Sequence, residues 1–194
     1  MSPTKLETLK DKRNSFALKL SAAKYHLQKI NEVYKENKEL IRKSDINDPK
    51  TRPFLYHYYA LVYEMSSAFD MTLHFVNSKF DLGFADSAIQ WKDKKTKFQK
   101  RLEEKSPESY QAIQKTFQSP WFEALKTTRD FLFHNGIIGL QIDCNDTQVN
   151  IINPVIGQKV LHFDCNLWEE EISKFFNSFY SDEKLTLKSD SSQP

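Results

Sequence analysis

The stretch "RDFLFHNG", residues 129–136, brings together three side chains whose types could do chemistry: Arg129, Asp130 and His134. A guanidinium is permanently charged, and its planar fork fits phosphate oxygens two at a time. An imidazole is the side chain that gains and loses a proton near neutral pH. A fixed phosphate clamp beside a proton carrier is what cleavage of RNA by its own 2′-hydroxyl requires. On a helix, Asp130 stands four residues before His134 on nearly the same face, so it is expected to orient the ring. The last turn of a helix favours imidazolium as well, through the backbone dipole. The bland alternative is a helix end carrying surface ion pairs, which are common and contribute little.

Spacing alone does not separate the two readings. The chain holds five Arg and five His in 194 residues, so about 0.4 Arg-x4–6-His pairs are expected by chance. Two occur, Arg129 to His134 and Arg52 to His57. Arg52 precedes Pro53, which disfavours helical geometry at Arg52 and leaves that pair without a rigid frame. Arg129 lies well inside a helix opened by Ser119-Pro120 and closed by Asn135-Gly136, a polar cap with proline at the first position and a left-handed stop. That helix is expected to bury Phe131 and Leu132.

The elements that must position this helix follow from apolar spacing. Leu6, Leu9, Phe16, Leu20, Ala23, Leu27, Ile30 and Tyr34 fall on one stripe, predicting a long helix to about Ile41. "KSDINDPKTRP" (43–53) breaks it, and Phe54, Tyr58, Val62, Met65, Phe69, Leu73, Val76 and Phe80 continue the same period from near Pro53. These two helices are expected to pack as an antiparallel hairpin. "DLGFADSAIQW" (81–91) reads as an irregular connection, Lys92 to Lys105 as a solvated helix, and Ser106-Pro107 as the start of a short helix through Tyr110, Ile113 and Phe117. After Gly136 the period changes, and "IIGLQID", "TQVNIINP" and "KVLHFD" predict an antiparallel β meander over about 137–164. "NLWEEEISKFFNSFY" (166–180) returns to helical spacing, and residues 181–194 read as a flexible polar tail. The whole is expected to be mainly α, a single domain over 1–180 with no internal repeat.

Composition agrees with this outline. Only four Gly and seven Pro appear, too few for a turn-rich β fold. The formal charge of +2 leaves any attraction to nucleic acid to local patches. The expected patch is Lys92, Lys94, Lys95, Lys97, Lys100 and Arg101, with Trp91 and Phe98 as possible base-stacking rings, although such runs are usually solvated helix faces. Cys144 and Cys165 lack the spacing of a zinc site or disulfide framework and read as free thiols. The absence of an apolar leader or an apolar run of about 18 residues points to a cytoplasmic protein without a membrane partner. No Gly-rich phosphate loop or Gly-x-Ser-x-Gly elbow is present. Asp70 and His74, with His57, invite a metal-bundle alternative, but no Glu-x-x-His pattern accompanies them. Tyr56, Tyr58, Tyr59 and Tyr63 read as packing groups, and His26 and His162 have no partner by spacing.

"RDFLFHNG" resembles the R-x4–6-H signature of HEPN domains, in which a polar residue commonly follows the Arg near the end of a helix in a mainly α-helical bundle. The hairpin over residues 4–80 and the helix from Pro120 are similar to that architecture, and the β meander lies outside its minimal core. The resemblance implies a metal-independent, cofactor-free endoribonuclease, built as a homodimer with two motifs facing across a twofold axis. His134 would transfer protons, Arg129 would hold the scissile phosphate, and Asp130 would position them, leaving a 2′,3′-cyclic phosphate and a 5′-hydroxyl. Many such proteins are toxins or antiviral defence effectors with a neutralising partner protein. Others are non-catalytic modules that bind proteins or nucleotides.

Overall fold

The computed structural model describes residues 4–43, 48–135, 139–144, 149–156, 159–161 and 165–180. Six α-helices and one small sheet follow in chain order: α1 (Lys5–Arg42), α2 (Arg52–Lys79), α3 (Lys97–Lys105), α4 (Pro107–Phe117), α5 (Pro120–Asn135), β1 (Gly139–Cys144), β2 (Val149–Ile156), β3 (Lys159–Val160) and α6 (Cys165–Tyr180). The chain is thus mainly helical, with an antiparallel sheet before the last helix, in the strand order β1-β2-β3.

α1 begins at Thr4, whose hydroxyl accepts the Glu7 N–H while the Glu7 carboxylate accepts the Thr4 N–H. This reciprocal cap satisfies two donors that a helix start leaves open. The helix then buries Leu9, Phe16, Ala23 and Ile30, at steps of seven, followed by Tyr34 and Ile41. A seven-residue step returns nearly to the same face of a helix, so this narrow seam faces mainly α2, with Phe16 stacked on Phe176 of α6. Leu6, predicted on the stripe, is exposed, and Leu20 and Leu27 are only partly covered. At Asn37 the backbone leaves helical geometry (φ −128°, ψ 29°). The Asn37 amide donates to the Val33 carbonyl, a competing local bond of the kind that bends helices.

α2 is the central helix. It buries Phe54, Tyr58, Val62, Met65, Phe69, Leu73 and Val76 as the spacing predicts, and also Leu61, Ala68, Thr72 and Phe75. This wider apolar face meets α1, α5 and α6. Phe69 shows how, since its ring lies 4.2 Å from Phe122 of α5 and 5.3 Å from Phe175 of α6. α2 starts at Arg52, one residue earlier than the proline suggested. The connection after it contains a single turn of 3-10 helix, Asp86–Ala88.

The basic stretch differs from expectation. Helix forms only from Lys97, because Thr96 and Gln99 make a second reciprocal cap. Gln99 is buried, and its amide both donates to the Lys92 carbonyl and accepts the N–H groups of Lys92 and Thr96. Lys92 to Thr96 is held in a non-helical approach by that one side chain. Trp91 and Phe98 are 7% and 0% exposed, so neither presents a face on which a base could stack.

β1 pairs antiparallel with β2 from Gly139↔Val155 to Cys144↔Val149, with an irregularity at Asp143/Cys144. β2 pairs with β3 through Val155↔Val160 and Ile156↔Lys159. The Val149 N–H donates to the Asn31 side-chain oxygen, tying the sheet to α1. α6 closes the core with Ile172, Phe175, Phe176 and Phe179. Leu167, in the first turn of α6, is exposed. The 181–194 tail, Gly136, His162 and the side chains of Cys144 and Cys165 lie outside the described residues.

Candidate functional site

α5 is anchored at its start and middle and released at its end. Phe122, Ala124, Leu125, Thr128 and Leu132 are buried, and the Thr128 hydroxyl donates to the Ala124 carbonyl, so no buried polar group is left open there. Phe131 is only half-buried, and Phe133 is 74% exposed. The helix therefore carries residues 133–135 into solvent, with Leu132 still in the core.

Arg129 and Asp130 come together. The Arg129 Nε and Nη2 both donate to Asp130 Oδ1, at 3.0 and 2.8 Å, with side chains 34% and 47% exposed. His134 does not join them. It is exposed, and its ring stands edge-on to Phe133 at 5.2 Å. The carboxylate expected to orient the imidazole is instead engaged by the guanidinium, because adjacent side chains can meet without crossing a helical turn. Five residues at 100° each also rotate His134 about 140° away from Arg129.

That rotation places the two groups in different clefts. One cleft, of about 510 Å³, lies between α2, the 3-10 turn and α5, and is lined by Arg129, Asp70, His74, Asp86 and Lys126. The other, of about 700 Å³, lies on the opposite side of α5 and is lined by Asp130, His134, Lys126 and Asp93. Asp130 thus connects the two, bonded to Arg129 while facing the same cleft as His134. Lys126 borders both, lies 3.6 Å from Asp93, and sits over the Phe117 ring.

The first cleft has a charge pattern of its own. Asp70 lines it and is exposed. The protein packed around its carboxyl still pushes it up from the ordinary carboxylate range, while the charges of Arg129 and His74 act in the opposite direction. His74 Nδ1 lies 2.9 Å from Asp86 Oδ1, yet the alignment is too poor for a hydrogen bond. This contact is therefore an electrostatic approach, dependent on the imidazole being protonated.

The other predicted residues scatter. Lys95 pairs with Glu103 at 2.6 Å and lies over the Tyr110 ring, Arg101 pairs with Glu104, and Lys92 borders the first cleft. Lys94, Lys97 and Lys100 are exposed. The grouping of Asp70, His74 and His57 does not form. His57 lies thirteen residues from Asp70, about 20 Å along the helix, and faces His26 instead. Among the described residues no three His, Cys, Asp or Glu side chains cluster for a metal ion, and no helix is long and apolar enough to cross a membrane. Sequence spacing could have found Lys126, which stands three and four residues before Arg129 and Asp130 on the same helix. The approach of Asp70 to Arg129 depends on how α2 packs against α5, which spacing does not encode.

No protein-family model, no curated protein and no solved structure matches the chain.

Proposed function

We propose that the protein is a HEPN-like, metal-independent endoribonuclease that acts as a homodimer, with each site assembled from Arg129 of one protomer and His134 of the other. The observation that carries this reading is the solvent-facing end of α5. There a partly exposed guanidinium held by Asp130 and an exposed imidazole stand five residues apart, each beside its own open cleft. Within one chain the two groups face different sides of the helix, so a second copy across a twofold axis supplies the convergence. His134 takes the proton from the 2′-hydroxyl or returns one to the 5′-oxygen. The 2′-oxygen attacks phosphorus as the bond to the 5′-oxygen breaks, and Arg129 balances charge on the phosphoryl oxygens. The products are a 2′,3′-cyclic phosphate and a 5′-hydroxyl, and the reaction proceeds in EDTA.

The test is RNA cleavage by the full chain in chelator, with product ends analysed. Arg129→Ala and His134→Ala should each lose about 10²-fold or more. Mixing the two inactive variants after protomer exchange should restore about one quarter of parent activity, since half the dimers are mixed and each has one intact site. Absence of cleavage in the parent, or activity that persists in both variants, overturns the reading.

The 140° offset also supports a second reading, a non-catalytic helical module that uses the exposed Phe133 and α5 end to bind a protein or nucleotide. It takes over if the parent binds RNA or a partner without cutting. A role as a toxin or defence effector with a neutralising partner belongs to the first reading, and protection of cells from its expression by a co-expressed partner is its test.

A further inference from the structure

The hairpin of α1 and α2 carries a second constellation, independent of α5. His26 and His57, 31 residues apart in the chain, approach with an Nδ1···Nδ1 separation of 3.0 Å and ring centroids 5.3 Å apart. The Tyr25 ring stands edge-on to both. Both histidines are half-buried, while Tyr25 and the neighbouring Tyr56 are exposed, so the pair is reachable from solvent. The charged groups around it are Lys29 and Glu32 of α1, which are bonded to each other. Burial holds His57 below the ordinary histidine range. The charges of His26 and Lys29 act in the same direction, and Glu32 opposes them.

We propose that His26 and His57 form a two-imidazole chelate for a divalent transition-metal ion of the Ni²⁺, Cu²⁺ or Zn²⁺ class, clasping α1 to α2. Metal–imidazole bonds are about 2.0–2.1 Å long, which puts two ligating nitrogens about 2.9 Å apart at a right angle and about 3.4 Å apart at a tetrahedral angle. The observed 3.0 Å falls between these, nearer the right-angled geometry that Ni²⁺ and Cu²⁺ favour. Metal binding requires an unprotonated ring nitrogen on each imidazole. Glu32 is close enough for its charge to act on His57. Its carboxylate oxygens accept from Gln28 and Lys29, so the two imidazoles are the protein's ligands and water completes the shell. The Lys29 charge that would repel a cation is balanced by Glu32. Two firm ligands make this weaker than a structural zinc site, which holds four. The same contact without metal is a simple hydrogen bond between rings, and the experiment separates the two.

The full chain is titrated with NiCl₂ or CuCl₂ at neutral pH, followed by calorimetry and thermal unfolding. One ion per chain should bind and raise the melting temperature by a few degrees, because it binds the folded hairpin and not the open chain. His26→Gln and His57→Gln should each weaken binding about tenfold or more and abolish the thermal shift, while His134→Ala leaves both unchanged. Should either Gln variant fail to fold, electron paramagnetic resonance of the Cu²⁺-loaded parent decides, with hyperfine splitting from two imidazole nitrogens expected. A parent that binds neither ion, a spectrum with fewer than two nitrogens, or variants that bind as tightly as the parent would each sink the proposal and leave the hydrogen-bonded pair.

Discussion

Two clefts flank α5, and their charges are arranged differently. In the first, Arg129 stands among Asp70 and Asp130, and His74 meets Asp86. In the second, His134 is exposed with the Phe133 ring edge-on to it. The difference teaches that a five-residue spacing on one helix cannot deliver both groups to one place. It delivers an ion-paired guanidinium to one side and an exposed imidazole to the other, with Asp130 between them.

The comparison holds only if α5 is a rigid wall between the clefts, and its core contact is where the largest effect is expected. Leu125 is fully buried midway along the helix, so Leu125→Ala should cost about 2–5 kcal/mol in denaturant unfolding. A loss below about 1 kcal/mol would mean that the helix is not anchored there. Next comes the contrast itself. Arg129→Ala leaves Asp130 without its counter-charge and should cost up to about 1 kcal/mol, since the pair is partly exposed, with Arg129→Lys recovering part of it because the fork is lost but the charge kept. His134→Ala should stay within about 0.5 kcal/mol of the parent. Equal losses for the two would erase the distinction between the clefts.

Much of this arrangement was legible beforehand, and the boundary is physical. The seam of α1, the inward face of α2 and the meander before α6 all follow from where apolar residues recur, because burial selects for that period directly. The octapeptide was legible as a helix end because Ser119-Pro120 and Asn135-Gly136 bracket it. The pairing of His26 with His57 was not, since it depends on how far one helix of the hairpin slides along the other. Nor was the shortened α3, because a glutamine gives no hint in sequence that its amide will bind the backbone seven residues earlier. Asp130 turned toward Arg129 rather than His134 for a similarly local reason, the proximity of neighbouring side chains.

Two smaller effects sharpen the contrast further. Asp70 holds its proton more readily in the folded protein than in the unfolded chain. Its contribution to stability is therefore present in acid and declines as pH rises through its folded value. Asp70→Asn should remove that slope, so urea midpoints of the variant should gain on the parent from acid toward neutral pH. The opposite trend would mean that attraction to Arg129 outweighs desolvation. The smallest effect is expected at Phe133, where Phe133→Ser should change folding stability by less than about 0.5 kcal/mol while lowering, in sedimentation, the dimer fraction that the proposed homodimer requires. A monomeric parent would count against that proposal, and a dimer unchanged by the substitution would place its contact elsewhere.

Gln99 reaches back to lock the approach to α3 with an uncharged amide, and the lysines around it take no part in that fastening except through their main chain. Shape and electrical sign are therefore separable along this edge. Mutation can recolour the surface from basic to acidic while the scaffold beneath keeps its outline.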